Sequence, residues 1–490
     1  MFIAPHEWLD PAQQLSPFRS KVQTPTGSFD RAALYKQLAC SHPTVVARGQ
    51  GAEFLQTQLE KAQGESCDVP EVPQDLSLWL ASSYQTVHGQ YAQYLQQRKA
   101  GLPRRYFSSR AHALYFLRSV APTKLVDGAW LYGVLEHWRN PRFSNLVRTY
   151  VEELGEGAPD KNHVLVYRRL LARYGLEPLH DLADSAYHQG LIQLALGLNA
   201  ERFLPEIVGF NLAYEQLPLH LLITAYELNE LGLDPYYFTL HVTVDNGDTG
   251  HAQRACQAVL DTLPRLEDGG AFWSRVREGS KLANTGIGTL EVINGFDIDA
   301  EVRRILMRKS TAGSGAHSDY CRVAGRSVND WLSAADGVPS FLSALENAGW
   351  IRRGEPAVNS RFWQLLQGDR AEMFGVFSSY ELQVIHDWIL GADSINGQPY
   401  LSAAVDEGSQ PVRSFRVSQR LARGAHPLKF SETDSNSDSD EDVLDSDLAL
   451  LKRKLRDPNG DYKLLLLEAM SPANHWTPAG LYATRLFNEA

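Results

Sequence analysis

Residues 236–251 read YYFTLHVTVDNGDTGH, which sets His241, Asp245, Asp248 and His251 at steps of four, three and three. At about 100° per residue, these positions fall within roughly 120° of one another on a helix, so imidazoles and carboxylates would line one face. Neutral imidazole nitrogen and hard carboxylate oxygen together suit iron or manganese, and no thiolate lies nearby to favour a structural zinc. The plainer meaning of such a face is solvation, or a hydrogen-bonded pair. The local sequence also resists a regular helix: HVTVDN is rich in β-branched residues and Asn246-Gly247 is a turn signal. A π-bulge there would re-aim the side chains.

Three further candidates lie upstream. Glu153 and His163 stand ten residues apart in TYVEELGEGAPDKNHVLVY, across a glycine-containing break. That spacing can bring a carboxylate at one helix end and the next helix's imidazole to one centre, although Glu152, Glu153 and Glu156 also read as surface charges. Glu215 sits among apolar residues in GFNLAYEQLPLHL, where an ionised carboxylate is costly unless paired or metal-bound; a hydrogen bond to a Tyr or Arg in the core is the alternative. Asp127, in KLVDGAWLYG, is similarly flanked and could equally be a helix N-cap before Gly128 and Ala129. Rival chemistry is weak. The chain has no GxGxxG, GxxxxGK[ST], HExxH or GxSxG, and Gly313, Gly315 and His317 make only a faint anion-loop pattern.

The elements that must carry these residues are helical. From about 106 to 305, apolar residues recur at three- and four-residue intervals and strand-like alternation is scarce, which predicts an up-and-down bundle of roughly seven helices. Its segments are AHALYFLRSVAP with LVDGAWLYGVLEHWR, one long or broken helix around Pro122; RFSNLVRTYVEELGEG; HVLVYRRLLARYGL; ADSAYHQGLIQLALGLN; FLPEIVGFNLAYEQLPLHLLITAYELNELGL; and PYYFTLHVTVDNGDTGHAQRACQAVLDTL. Residues 1–105 form an N-terminal extension with a helix over 77–101, stopped by Gly101 and Pro103, and residues 306–425 form a further helical unit. An acidic, low-complexity linker spans 426–450, and a C-terminal segment follows over 451–490.

Composition narrows the function classes. Among 490 residues, 43% are hydrophobic and 21% charged, an ordinary globular balance. The net charge is −11, yet Glu432, Asp434, Asp438, Asp440, Glu441, Asp442, Asp445 and Asp447 contribute −8 of it, so the remainder carries −3 and has no nucleic-acid footprint. No apolar run is long enough for a membrane span, and MFIAPHEWLDPAQQL lacks the pattern of a secretory signal. Cys40, Cys67, Cys256 and Cys321 are far apart and form no CxxC, so a reducing, cytoplasmic setting is expected.

With these residues in view, the chain resembles the haem-oxygenase-like di-metal oxidases and oxygenases, the iron-containing redox enzyme family. The resemblance covers about 200 residues, 106 to 305. It implies an all-α, seven-helix haem-oxygenase-like bundle holding two Fe(II) per chain, with Mn admissible, O2 as cosubstrate and no haem. The family pattern is a first carboxylate, Glu-gap-His, another Glu, then His-x3-Asp-x2-His. It falls on Asp127 (where Glu is usual), Glu153 and His163, Glu215, and His241 with Asp245. Asp248 occupies the last expected position and a His arrives only at His251; two imidazoles on this segment keep the family's balance, so His251 is taken as the ligand and Asp248 as a residue behind it. Tyr214, Tyr236 and Tyr237 are candidates for orienting the ligands, with core packing as the plainer role.

The implied activity is oxidation of a small amino-acid-derived or carboxylate-containing substrate by N-oxygenation, desaturation or C–C cleavage, in specialised metabolism. A carboxylate could be held by His317, Arg322 and Arg326, although surface exposure explains them as well. No nucleic acid or membrane partner is implied, and a homodimer is one admissible assembly. Two other readings stay open: a metal-free oxidase of the same fold, and a protein that recruits a partner through its acidic tract.

Overall fold

The computed structural model describes residues 29–391 and 445–489, apart from 178, 180, 245–249, 267, 268, 314, 316, 319, 335, 369, 370, 458 and 459. Among them the architecture is all-α, in keeping with a haem-oxygenase-like bundle; the only sheet is a two-stranded hairpin pairing Arg322–Val323 with Arg326–Ser327. No helix among the described residues is long and apolar enough to cross a membrane.

The site-bearing helices follow the apolar periodicity, with breaks where local chemistry demands them. Arg110–Ser119 starts on a Ser109 cap whose side chain accepts from His112 N, and the chain breaks before Ala121–Lys124. The stretch after Pro122 continues as the 3-10 helix Ala129–His137. Ser144–Glu153 and His163–Arg173 pack inward, and Asn162 caps the second by accepting from Leu165 N. His188–Leu198 is buried along most of its length. The segment expected to run on from Phe203 is two helices, Ala200–Tyr214 and Leu219–Glu230, because Pro218 lacks the N–H to continue the first.

The expectation that positions 241 to 251 share one helix face is overturned. Tyr236–Val244 ends and His251–Thr262 begins anew, with Gly250 in extended conformation (φ −83°, ψ −167°) as its N-cap. The extended backbone at Gly250 begins a separate helix, so His241 and His251 reach the interior from different elements.

Two hydrophobic cores organise the described residues. The first joins Leu34, Tyr35 and Leu55 from the N-terminal helices to Leu131, Leu194 and Ile207 of the bundle, and to Leu467, Met470 and Ala483 near the C-terminus. The second unites Phe107, Leu117, Tyr167 and Ile223 with Ile305, Ile385 and Trp388. Ser446–Leu455 is a helix capped by Asp445, whose side chain accepts from Leu448 N. The preceding residues of the acidic run lie outside the described residues.

Candidate metal centre

Asp127 sits in the turn between Ala121–Lys124 and Ala129–His137. It caps nothing; the N-cap is Gly128, at φ 80°. A Cβ on Gly128 would stand 2.9 Å from Cβ of Glu153, so glycine is what lets this turn press against the neighbouring helix. Asp127 is 4% exposed. Its Oδ2 accepts from the Tyr237 hydroxyl at 2.5 Å and lies 3.1 Å from His241 Nε2.

Glu153 is the last residue of its helix and His163 the first of the next. Between them the chain reverses through Gly155, Glu156 and Gly157, all at positive φ. A Cβ on Gly155 would meet Asn162 N at 2.3 Å, and one on Gly157 would meet Leu481 O at 2.5 Å. The turn is thus pinched between the site and the C-terminal helix Pro478–Glu489. His163 Nδ1 lies 2.5 Å from Glu153 Oε2 and 3.9 Å from Asp127 Oδ2, yet this buried nitrogen has no aligned hydrogen-bond partner. Close approach without alignment is what lone pairs directed at a common point would produce.

Glu215, buried at the end of Ala200–Tyr214, places Oε2 3.0 Å from His251 Nδ1. The same Nδ1 is 3.3 Å from Glu153 Oε1. Two buried groups result: Asp127, Glu153, His163 and His241, and Glu153, Glu215 and His251, with candidate ligand atoms in each group all within 4.8 Å of one another. Glu153 belongs to both. Donors about 2.1 Å from one ion stand roughly 3–4 Å apart, so each group is of metal-binding size.

Both later imidazoles are oriented from behind. His241 Nδ1 contacts the Tyr237 carbonyl at 2.8 Å and must donate there, which leaves the Nε2 lone pair facing Asp127. His251 Nε2 contacts Glu152 Oε2 at 2.9 Å, so its proton belongs there and its Nδ1 lone pair faces Glu153 and Glu215. Glu152 is held in turn by Arg254 at 2.6 Å and Arg148 at 2.9 Å. A carboxylate–histidine pair of this kind commonly stands behind a metal ligand.

The electrostatics follow from burial and charge. Burial would raise the carboxyl pKa of Asp127, but the Lys124 ammonium and, when its ring is protonated, His241 hold it below its usual value. Burial likewise opposes ionisation of Glu153, and the nearby charges of His163 and His251 outweigh it, holding that pKa well below the ordinary range. Glu152 is brought down to about 2, burial being overcome by His251, Arg254 and Arg148. His163 moves the other way: burial lowers its pKa, and Glu153 more than restores it. Burial and the Asp127 charge push the Tyr237 phenol well above its usual value.

Of the seven residues expected as ligands, Asp127, Glu153, His163, Glu215, His241 and His251 converge; Asp245, like Asp248, lies outside the described residues. Tyr237 touches Asp127, whereas Tyr214 bonds Gln189 and stacks on Phe210, and Tyr236 donates to Asp160 O. His317 is bracketed by Asn329, Arg322 donates to Gly325 O, and Arg326 lies over Trp331, around the hairpin.

Glu152, Asn162 and His475 escape a reading by spacing. Asn162 Oδ1 caps the helix that His163 opens, while its Nδ2 donates to Leu154 O at 3.1 Å and lies 3.1 Å from His475 Nδ1. His475 is 1% exposed and lies more than 300 residues away in sequence; nothing local in HWTP announces it. The Tyr150 hydroxyl, on the Glu153 helix, donates to Met470 O at 2.7 Å and adds a second tie to the same segment.

Three carboxylates and three imidazoles, without a cysteine among them, form a donor set suited to iron. Residues 114–284 match the family model described as iron-containing redox enzyme, a span that includes every converging residue and excludes His475. No curated protein and no solved structure matches the chain.

Proposed function

We propose that this chain, an oxidoreductase whose residues 114–284 fall in the iron-containing redox enzyme family, is a non-haem di-iron oxidase or oxygenase acting on a small organic substrate. The observation that carries this reading is the sharing of Glu153 by two buried ligand groups. A carboxylate has two oxygens: Oε2 faces His163 and Oε1 faces His251. One metal would be held by Asp127, Glu153, His163 and His241, the second by Glu153, Glu215 and His251, with Asp245 as a further ligand and Asp248 behind. Three buried carboxylates also need compensating cations, which two divalent ions supply.

Two ferrous ions bound there would provide the electrons that activate O2. The protein's own contributions are positional. Glu152 holds the Nε2 proton of His251, the Tyr237 carbonyl holds the Nδ1 proton of His241, and the Tyr237 hydroxyl keeps its proton on Asp127 Oδ2 at neutral pH. The buried rings of Tyr167, Tyr237 and Phe238 keep water from this wall of the site. The substrate class is a small amino-acid-derived or carboxylate-containing molecule, oxidised by N-oxygenation, desaturation or C–C cleavage.

Anaerobic titration of the metal-free protein with Fe(II), followed by admission of O2, tests this directly. Two irons per chain and an O2-dependent absorbance are expected. No uptake, or saturation at one iron with no response to O2, rejects the di-iron assignment.

A further inference from the structure

Near the C-terminus the helices Ser446–Leu455, Tyr462–Ala469 and Pro478–Glu489 pack against one another. Between them lies a hollow of about 310 Å³. Lys452, Leu455 and Arg456 line it from the first helix and its C-cap, Tyr462 from the second, and Tyr482 and Leu486 from the third. None of these residues belongs to the ligand groups of the metal centre, and all lie outside the family-matched span 114–284. A volume at the lower bound of small-molecule sites calls for a small occupant.

The lining divides by chemistry. Lys452 and Arg456 stand one helical turn apart, where like charges repel unless they share an anion. Cations near a helix C-terminus also answer the helix dipole. Arg453 and Lys454, exposed on the same turn, meet that need without lining the hollow. The Lys452 ammonium lies 5.2 Å from the centre of the Tyr482 ring, which holds it at the wall. Leu455, Leu486 and the two phenol rings make the rest of the lining apolar.

We infer that this hollow is a binding site for a small organic phosphate monoester. An ammonium and a guanidinium together balance a phosphate dianion, and the guanidinium can meet two of its oxygens at once. The leucine and tyrosine side chains cover the apolar body of the ester. A carboxylate would leave one cation unmatched, and inorganic phosphate would leave the apolar wall uncovered. The helix that supplies Tyr482 and Leu486 also sets Leu481 O and Arg485 against Gly157, in the turn between Glu153 and His163. An occupant therefore braces the element that clamps this turn.

The test is isothermal titration of the full-length protein in chelator, so that no metal elsewhere can hold the phosphate. The probes are phenyl phosphate, inorganic phosphate, benzoate and phenol. Wild type should bind phenyl phosphate about tenfold more tightly than any of the others. Lys452→Gln and Arg456→Gln should each weaken phenyl phosphate by about tenfold. Lys454→Gln removes the same charge from the same turn and should leave binding unchanged. Phenyl phosphate should also raise the unfolding temperature of wild type with concentration, and that of Arg456→Gln far less. No binding by wild type, an equal loss in Lys454→Gln, or binding of benzoate or inorganic phosphate as tight as that of phenyl phosphate overturns the site. Because the titration is metal-free, such a failure leaves the di-iron reading untouched, and a failed iron titration leaves this site standing.

Discussion

At the scale of single residues, the site is a set of lone pairs kept in place by donors and acceptors behind them. Glu152 meets the ligand set through His251, at 2.9 Å, with Arg254 and Arg148 behind it, so Glu152→Gln should leave the fold intact and weaken metal binding about 10- to 100-fold, the usual cost of losing an orienting carboxylate. Glu153→Ala should abolish both metal sites, whereas His163→Ala should weaken one; stoichiometry by Co(II) absorbance separates the outcomes, and a residual single site in Glu153→Ala would deny the shared role. The sequence made the ligands legible because buried carboxylate and imidazole are chemically conspicuous. It could not choose between surface and interior for the adjacent Glu152 and Glu153, because a difference of one position on a helix decides which carboxylate points inward and which lies behind.

At the scale of elements, glycine turns and a distant segment set the geometry. The Gly155–Gly157 reversal joins two ligand helices and is clamped by Leu481 and Arg485 on one side and Asn162 on the other. His475 and Met470 hold Asn162 and Tyr150. His475→Leu should therefore lower metal affinity by about tenfold with helical content unchanged, and His475→Asn, which keeps an acceptor near the Nδ1 position, should recover most of it; identical affinity in all three proteins would remove His475 from the site's support. A deletion at about residue 430 would also remove this support, so the acidic run's role is better tested by excising 431–444 alone. Periodicity located the helices well. It could not reveal that the segment 445–489 closes on a turn more than 300 positions earlier, because contacts between distant segments leave no period in the sequence.

At the scale of the whole molecule, N-terminal, central and C-terminal helices share one core, and the protein's response to acid should be cooperative. Burial lowers the imidazole pKa of His112 and His188 to about 4, and of His475 to about 3. Each is neutral in the fold and charged when unfolded near pH 5, so unfolding takes up protons there. Their stabilising contributions are complete above pH 6.5 and are lost as pH falls toward 4 (toward 3 for His475), each at up to about 1.4 kcal/mol per pH unit. The unfolding temperature of metal-free protein should fall steeply below pH 6; a flat profile from pH 6.5 to 4.5 would mean these rings are hydrated in the fold. Bound metal should raise the unfolding temperature with concentration, because only the folded state presents both ligand groups.

The central claim is that two metals flank one carboxylate. Crystals of the full-length protein soaked anaerobically in Mn(II), with diffraction collected for the anomalous signal of manganese, address it directly. Two peaks about 3.5–4 Å apart, one within reach of His163 and His241, the other of Glu215 and His251, with Glu153 between them, are predicted. A single peak, or two that do not share Glu153, would contradict the account.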